Sequence, residues 1–260
     1  MRVLSFGGGT DSTAVLCGWV ERNLQKTEPI DLILFADTGG ERPHTYDHVE
    51  RMQKWLRNTS LPLITVVAKA GNDRTLEDDC LAKNMLPSIA YGRKGCSHKF
   101  KIEPQDKYVN GVRAARLTWR AGGRVEKLIG YDFSEKRRCL ASKLEDDKYS
   151  YRFPLVEWEW ARAECVAAIE RAGLPLPGKS ACFFCPSSKK HEIDSLKKQY
   201  PVLFHRAIAM EDNARKSLKT VKGLGRSFSW RDYSTTAADP TVEPCMVCVD
   251  GSASSIEELL

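Results

Sequence analysis

Residues 1–13 read MRVLSFGGGTDST, a short apolar run that leads into three glycines and then into a cluster of hydrogen-bonding side chains. Val3, Leu4 and Phe6 are typical of a buried strand, and residues 12–24 have the apolar spacing of a helix. Glycines between a strand and a helix let the backbone approach an anion closely, and the helix N-terminus adds N–H groups that face it. The stretch therefore predicts a phosphate-binding loop.

Strands and helices alternate through the first half of the chain. Residues 31–40, 61–69 and 127–132 are apolar runs typical of buried strands, and residues 44–58 have a helical pattern with one apolar face. This alternation predicts an α/β fold with a parallel sheet flanked by helices, of the Rossmann-like kind.

The second half reads differently. Residues 160–174 form a strong helical pattern that ends at Gly173, and further helices are predicted over residues 189–200 and 201–216. We find no internal repeat and no clean linker. The helical part is therefore expected to pack against the sheet.

Composition places the chain in a broad class. It has 260 residues, 42% of them hydrophobic, with a formal net charge of +6. No run approaches the roughly 18 apolar residues of a membrane span, and the N-terminus does not have the pattern of a signal peptide. We expect a cytoplasmic protein without membrane contact. The mild positive charge fits an anionic partner, although solubility alone also explains it.

The nine cysteines are many for a cytoplasmic chain. Cys182 and Cys185 form one C-x-x-C pair, Cys245 and Cys248 form another, and Cys96 lies between basic residues. In a reducing compartment such pairs indicate metal binding or catalysis rather than disulfides. Iron–sulfur clusters and tetrahedral zinc both use sets of thiolates, so the spacing leaves the metal open.

The segment Gly7-Gly8-Gly9-Thr10-Asp11-Ser12 resembles the S-G-G-x-D-S loop of the PP-loop ATP pyrophosphatases, the adenine-nucleotide α-hydrolase superfamily. This superfamily includes phosphoadenylylsulfate reductases, tRNA thiolation enzymes and DNA phosphorothioation proteins. Gly7 departs from the pattern, because the family usually has serine there. Hydroxyl groups nevertheless remain close by in the sequence.

Five further segments resemble the phosphoadenylylsulfate-reductase-like branch and occur in the same order. They are FADTGGERPHTYDHV (35–49), CSHKFKIEPQDKYV (96–109), GYDFSEKRR (130–138), FPLVEWEWARAEC (153–165) and SACFFCPSS (180–188). The resemblance implies a nucleotide-binding PP-loop domain over residues 1–155. A helical region with the two C-x-x-C pairs, residues 156–260, would pack on it.

The resemblance also implies an enzyme that cleaves ATP to AMP and pyrophosphate, adenylating a substrate for sulfur insertion. Mg²⁺ would neutralise the phosphates, held by Asp11 or Asp37. The nucleotide-binding residues that follow are Ser5, Gly7, Gly8, Gly9, Thr10, Asp11, Ser12, Thr13, Asp37 and Thr38. The catalytic residues that follow are Asp11, Lys101 and Arg138.

The family resemblance favours a [4Fe-4S] cluster on Cys96, Cys182, Cys185 and Cys248, with Cys245 as the alternate fourth ligand. A structural Zn²⁺ on the two C-x-x-C pairs is the alternative.

Two other functions stay open. A sulfonucleotide (PAPS or APS) reductase would explain the resemblance, but the EPCMVCVDG segment lacks the histidine of the E-C-G-x-H tail. A nucleotide- or nucleic-acid-binding protein without turnover is the second. If the protein is an adenylating enzyme, its acceptor is a nucleic acid, a nucleoside or a small metabolite. We expect it to work either as a homodimer or with a partner protein. The basic residues 189–200 form either a polyanion surface or a solvated helix face.

Overall fold

The computed structural model describes residues 1–69, 75–87, 89–90, 93–140 and 146–236. The strands in this part of the chain are β1 (Arg2–Ser5), β2 (Leu32–Asp37), β3 (Ile64–Ala68), β4 (Ile89–Ala90), β5 (Arg93–Lys94), β6 (Val125–Ile129) and β7 (Tyr149–Arg152). Five of them form one sheet in the order β3-β2-β1-β6-β7, and every pairing in it is parallel. β4 and β5 pair separately as a small antiparallel ribbon.

The described helices are α1 (Thr10–Glu21), α2 (Leu24–Thr27), α3 (Pro43–Leu56), α4 (Leu76–Ala82), α5 (Gly95–Ser97), α6 (Glu103–Gly111), α7 (Arg113–Arg120), α8 (Lys136–Leu140), α9 (Pro154–Glu157), α10 (Arg162–Arg171), α11 (Lys190–Gln199), α12 (Pro201–Ala214) and α13 (Trp230–Thr236). A π-helical turn, His98–Ile102, leads into α6. None of these helices is long and apolar enough to cross a membrane.

Helices cover both faces of the sheet, which confirms the predicted α/β class. Leu4 and Phe6 of the first strand segment belong to a core with α1, α3 and α10. Val3, one residue out of phase with them, belongs to a second core with α6 and α7. This alternation is the period of two that a strand buried on both faces requires.

A third core combines helices of the C-terminal half with α4 of the N-terminal half. Its buried side chains come from α4, α11 and α12 and include Phe183, Phe184 and Cys182 of the first C-x-x-C segment. The helix α10 shares the core of the sheet, while α11 and α12 belong to the third core. The division at residues 155 and 156 stays a prediction.

The strand order has a consequence for binding. From β1 the chain adds β2 and β3 on one side, then returns to add β6 and β7 on the other. In such sheets, ligands bind in the crevice at the carboxyl ends of the strands where the order reverses. That point lies between the ends of β1 and β6.

Candidate active site

The glycine loop joins β1 to α1 and is shaped for close approach. Gly8 has φ +72°, and a Cβ there would lie 3.1 Å from Thr45 Cγ2 in the first turn of α3. Gly9 is the N-cap of α1 and its conformation is extended, with no side chain capping the helix. The first N–H groups of α1 therefore stay without a side-chain acceptor from the cap, as in an anion site.

Small polar side chains hold this loop together. The Ser12 Oγ accepts from the Gly7 N–H at 3.2 Å and lies 3.2 Å from the Gly9 carbonyl, to which it can donate. Thr13 donates to the same carbonyl at 2.9 Å and contacts His48 Nε2 at 2.8 Å. Burial lowers the pKa of His48 to about 4, so the ring is neutral at pH 7. Because the one hydroxyl hydrogen of Thr13 is used on the Gly9 carbonyl, Nε2 of His48 is the donor in this contact.

The end of β6 touches the first turn of α1. A Cβ on Gly130 would lie 2.8 Å from the Ser12 nitrogen and 2.9 Å from the Asp11 carbonyl carbon. No larger residue fits without moving the backbone. Gly130 therefore fixes the distance between β6 and the glycine loop.

A cleft of about 790 Å³ opens at this point, at the carboxyl ends of β1 and β6. Most of the predicted nucleotide and catalytic residues line it: Ser5, Gly7, Gly9, Thr10, Asp11, Ser12, Lys101 and Arg138. Arg162, Lys179, Ser180, Lys189 and Glu192 also line it and were not predicted. The cleft is therefore lined by several cations beside a helix N-terminus, an arrangement that favours a polyanionic ligand.

An apolar chamber of about 290 Å³ adjoins the cleft. It shares Ser5, Gly7, Lys101, Ile129 and Tyr131 with the cleft and extends to Phe6, Phe35, Ile102 and Tyr151. The Ser5 hydroxyl donates to Gln105 Oε1 of α6 at 2.5 Å on this side. The two spaces together offer a charged part and an apolar, aromatic part to one ligand.

Residues 177–180, between α10 and α11, cross the glycine loop. The Ser180 hydroxyl donates to the Gly7 carbonyl, and its Cβ would lie 3.6 Å from a Cβ placed on Gly9. Lys179 is held by Glu192 at 2.7 Å. The sequence signal that could have found this segment is Pro-Gly-Lys-Ser directly before the first C-x-x-C pair.

Asp11 lines the cleft, and its pKa is raised. Burial raises its pKa to about 6, and Arg162 at 2.8 Å partly offsets this effect. Asp132, itself buried, raises the pKa further. A carboxylate in this setting is stabilised as an anion when a further cation arrives.

Arg138 lies at the outer side of the cleft. Its guanidinium group stacks 4.3 Å from the centre of the Tyr131 ring and pairs with Glu135. The side chain is 60% exposed, so it can move toward a ligand. Its position fits the predicted role of offsetting phosphate charge.

Lys101 connects the cleft with the C-x-x-C segment. Its Nζ lies 2.7 Å from Oε1 of Glu41, whose side chain is fully buried. Burial lowers the pKa of Lys101, but Glu41 and then Cys182 outweigh it, so the net shift is upward. The lysine is therefore charged. Glu41 was not predicted from the sequence. The signal that could have identified it is its place as the only carboxylate in the segment GGERP, residues 39–43.

Asp37 and Thr38 lie apart from the cleft. Asp37 Oδ1 accepts from the Tyr46 hydroxyl and from the Gly39 N–H, each at 2.8 Å. Both residues line a different cavity of about 180 Å³ at the ends of β2 and β3. Thr38 Oγ1 lies 3.2 Å from Cys182 Sγ. Their predicted nucleotide contacts stay predictions.

Two pairs among the predicted ligand cysteines lie near enough for one thiol to affect the pKa of the other, Cys96 with Cys185 and Cys182 with Cys185. Burial, followed by the Cys185 thiol, raises the pKa of Cys96. Burial, followed by Glu41, raises the pKa of Cys182, with a smaller effect of Cys185. An isolated antiparallel β-bridge pairs Glu41 with Cys182 and joins the segment after β2 to the C-x-x-C segment.

The thiol chemistry fits a soft metal or cluster, but the described geometry does not complete a site. Cysteine thiolates are ligands that both iron–sulfur clusters and zinc use. Among the described residues, no three His, Cys, Asp or Glu side chains are grouped closely enough to hold a metal ion. Cys245 and Cys248 lie outside the described residues, so the ligand set stays a prediction.

Comparison with known proteins gives a structural similarity and no family. A scan of protein-family models matches none, and a search of curated proteins finds no relative. Among solved structures, the chain is similar to the U34-tRNA thiolase NcsA from Methanococcus maripaludis with its [4Fe-4S] cluster. The identity is 14% and the TM-score 0.38, with 92% of this chain and 81% of that chain covered. A similarity this weak supports no functional argument, so function is inferred below from the residues of this chain.

Proposed function

We propose that this protein is a PP-loop ATP pyrophosphatase that adenylates an acceptor for sulfur insertion. The observation that carries the proposal is the glycine loop, because it lies at the reversal of strand order and ends in a helix without a side-chain cap. Cationic side chains surround this helix start in one cleft. Few ligands other than a nucleoside polyphosphate match both the charged cleft and the apolar chamber.

In this proposal the N–H groups of the loop and of α1 bind the β- and γ-phosphates, and the apolar chamber takes the base. An acceptor oxygen attacks the α-phosphorus, the bond from that phosphorus to the bridging oxygen breaks, and pyrophosphate leaves. Lys101 and Arg138 offset the charge that develops on the phosphates. A sulfide then attacks the activated carbon, the bond from that carbon to the acceptor oxygen breaks, and AMP leaves with that oxygen.

Mg²⁺ is the proposed metal of the nucleotide end. Asp11 is the candidate ligand, because of the two predicted aspartates it is the one that lines the cleft. Its raised pKa means that a nearby cation favours its ionised form. When bound, Mg²⁺ would neutralise the leaving pyrophosphate.

A [4Fe-4S] cluster is the proposed cofactor of the thiol end, with Zn²⁺ as the alternative. Cys96, Cys182 and Cys185 would hold it together with Cys248 or Cys245. Such a cluster supplies a site where sulfur or electrons are exchanged. Glu41 lies 2.7 Å from Lys101 of the cleft and 4.0 Å from the Cys182 thiol, and this link supports sulfur chemistry near the cleft.

The decisive experiment compares two glycines that both have a positive φ. Gly8→Ala introduces a Cβ against Thr45, whereas Gly173→Ala at φ +71° meets nothing within 4 Å. ATP binding is measured by calorimetry, and pyrophosphate release from radiolabelled ATP is followed after anaerobic purification. We expect Gly8→Ala to lose both and Gly173→Ala to keep both.

Other outcomes separate the alternatives. Wild-type ATP binding by Gly8→Ala would mean that the loop does not hold phosphates. ATP binding without pyrophosphate release, in the presence of nucleic-acid and small-molecule acceptors, would favour a binding protein. Sulfite release from PAPS or APS would identify a reductase.

A further inference from the structure

The helix α7 carries three arginines on one exposed face. Arg113, Arg116 and Arg120 are spaced i, i+3 and i+7, so they lie in one stripe along the helix. Leu117 lies within that stripe and is 52% exposed. On the opposite side, Ala115 is buried in the core of the sheet. The name "arginine stripe" is used below for these three arginines and Leu117.

The arginine stripe lacks counter-ions among the described residues. In the part of the chain that the structure describes, none of its three guanidinium groups pairs with a carboxylate, and α7 contains no acidic residue. Two other exposed arginines are paired, Arg162 with Asp11 at 2.8 Å and Arg171 with Glu21 at 2.9 Å. Like charges three and four residues apart repel one another, so an external polyanion would relieve the repulsion.

The basic helix singled out from the sequence is less suited to this role. In α11, Lys190 lies 5.1 Å from the centre of the Tyr233 ring, and Lys197 donates to the Ser234 carbonyl at 3.5 Å. The helix also contains Glu192 and Asp194. Two of its lysines are therefore engaged with α13.

We propose that the arginine stripe binds the phosphate backbone of a nucleic acid. Arg113 and Arg120 are about 10 Å apart along the helix axis, a length that spans about three phosphates of one strand. The flanking leucine offers apolar contact to a sugar or base. This inference rests on the proposed function, since it selects a nucleic acid from the acceptors that the cleft alone leaves open.

The position of the stripe supports a long acceptor. Gln105, in the first turn of α6, bonds to Ser5 at the cleft, and α6 then runs about 9 Å further to Gly111 before α7 begins. In the last turn of α7, Trp119 Nε1 donates to the carbonyl of Lys148, directly before β7, at 2.7 Å. A ligand on both the stripe and the cleft must span more than one nucleotide, which a nucleoside or small metabolite cannot do.

The test uses the full-length protein and fluorescein-labelled RNA and DNA of about 20 nucleotides, single-stranded and duplex. Binding is measured by fluorescence anisotropy over a salt series. In Arg113→Gln/Arg116→Gln/Arg120→Gln we expect at least a tenfold rise in Kd. The slope of log Kd against log salt should fall by about 2 for a single strand, as loss of three phosphate contacts requires. Comparing the Kd for RNA with the Kd for DNA identifies which nucleic acid is the natural ligand.

The matched control is Arg51→Gln/Lys54→Gln/Arg57→Gln, which removes the same charge from the exposed side and end of α3. Wild-type affinity in the arginine-stripe variant, or an equal loss in the control, would overturn the inference. Circular dichroism checks folding, and Arg116→Glu gives a single-site repeat of the test. The stripe variant should bind ATP normally, and Gly8→Ala should bind nucleic acid normally. Failure of one proposal is therefore distinguishable from failure of the other.

Discussion

The two ends of the proposed active site are built in opposite ways. The phosphate end, residues 7–12, is one continuous segment whose shape follows from backbone conformation and small side chains. The thiol end consists of Cys96, Cys182 and Cys185 from two distant segments, and Glu41 of a third segment links Lys101, close after Cys96, to Cys182. A short motif can specify the first end, whereas the second exists only when the tertiary structure is formed. Disturbing one end should therefore leave the other intact, except at Lys101.

The largest effect on nucleotide binding is expected for Gly130→Ala. Its new Cβ would meet the Ser12 nitrogen at 2.8 Å, so the first turn of α1 must move away from the phosphates. We expect roughly a 100-fold loss of ATP affinity, comparable to the loss of a preorganised anion site. Calorimetric titration measures it, and metal content should stay unchanged. Gly122→Ala, with nothing within 4 Å of its Cβ, is the control. An unchanged ATP affinity in Gly130→Ala would show that β6 does not shape the site.

Lys101→Met should affect both ends. It leaves the fully buried Glu41 without its cation, and breaking such a pair costs about 3 kcal/mol of stability. ATP affinity should fall about tenfold, because one phosphate contact is lost. Thermal denaturation measures the first effect.

The double variant Lys101→Met/Glu41→Gln tests the cause. Removing both charges should recover most of the stability but none of the ATP affinity. If the double variant is no more stable than Lys101→Met, the ion pair is not what matters at this position.

Asp11→Asn should make the protein more stable at neutral pH. The folded pKa of Asp11, about 6, lies above the ordinary aspartate value of 3.8, so folding favours the protonated form. Its contribution is favourable at low pH and is lost as pH rises through 6. We expect the variant to gain on the order of 1–3 kcal/mol over wild type between pH 4 and pH 7.5, seen as a growing difference in Tm. Asp47→Asn, at an exposed position, is the control and should show no such trend. The same variant should lose pyrophosphate release.

Cys182→Ser should have the smallest effect on ATP binding and the clearest effect on metal. We expect ATP affinity within about twofold of wild type, because Cys182 does not line the cleft. Iron and sulfide, or zinc, should be lost after anaerobic purification, along with any absorption near about 400 nm. Cys165→Ser, in the core of the sheet, is the control, and metal retained in Cys182→Ser would remove this cysteine from the ligand set.

The sequence predicted the sheet and the glycine loop well because both depend on local patterns. β1, β2, β3 and β6 are apolar runs, and their ends fall within a few residues of the prediction. The edge strand β7 was missed because its sequence, YSYR, has no apolar run. Its burial comes from tertiary contacts, with Lys127 lying 3.8 Å from the centre of the Tyr149 ring.

The rest of the candidate site depends on contacts that no local pattern encodes. Arg162 reaches Asp11 across about 150 residues of chain. Glu41 reaches Lys101 from a different loop. Both are ordinary charged residues in sequence, so only the packed structure makes them part of the site.

The hydrogen bond from Ser180 to the Gly7 carbonyl limits how far the first C-x-x-C pair can lie from the glycine loop. Ser180 is fixed to the glycine loop, and five peptide units separate it from Cys185, which can span at most about 18 Å. The first C-x-x-C pair therefore lies within that radius of the glycine loop. If the proposed function is right, sulfur bound at this pair needs neither a carrier domain nor a long swinging arm to reach the nucleotide end.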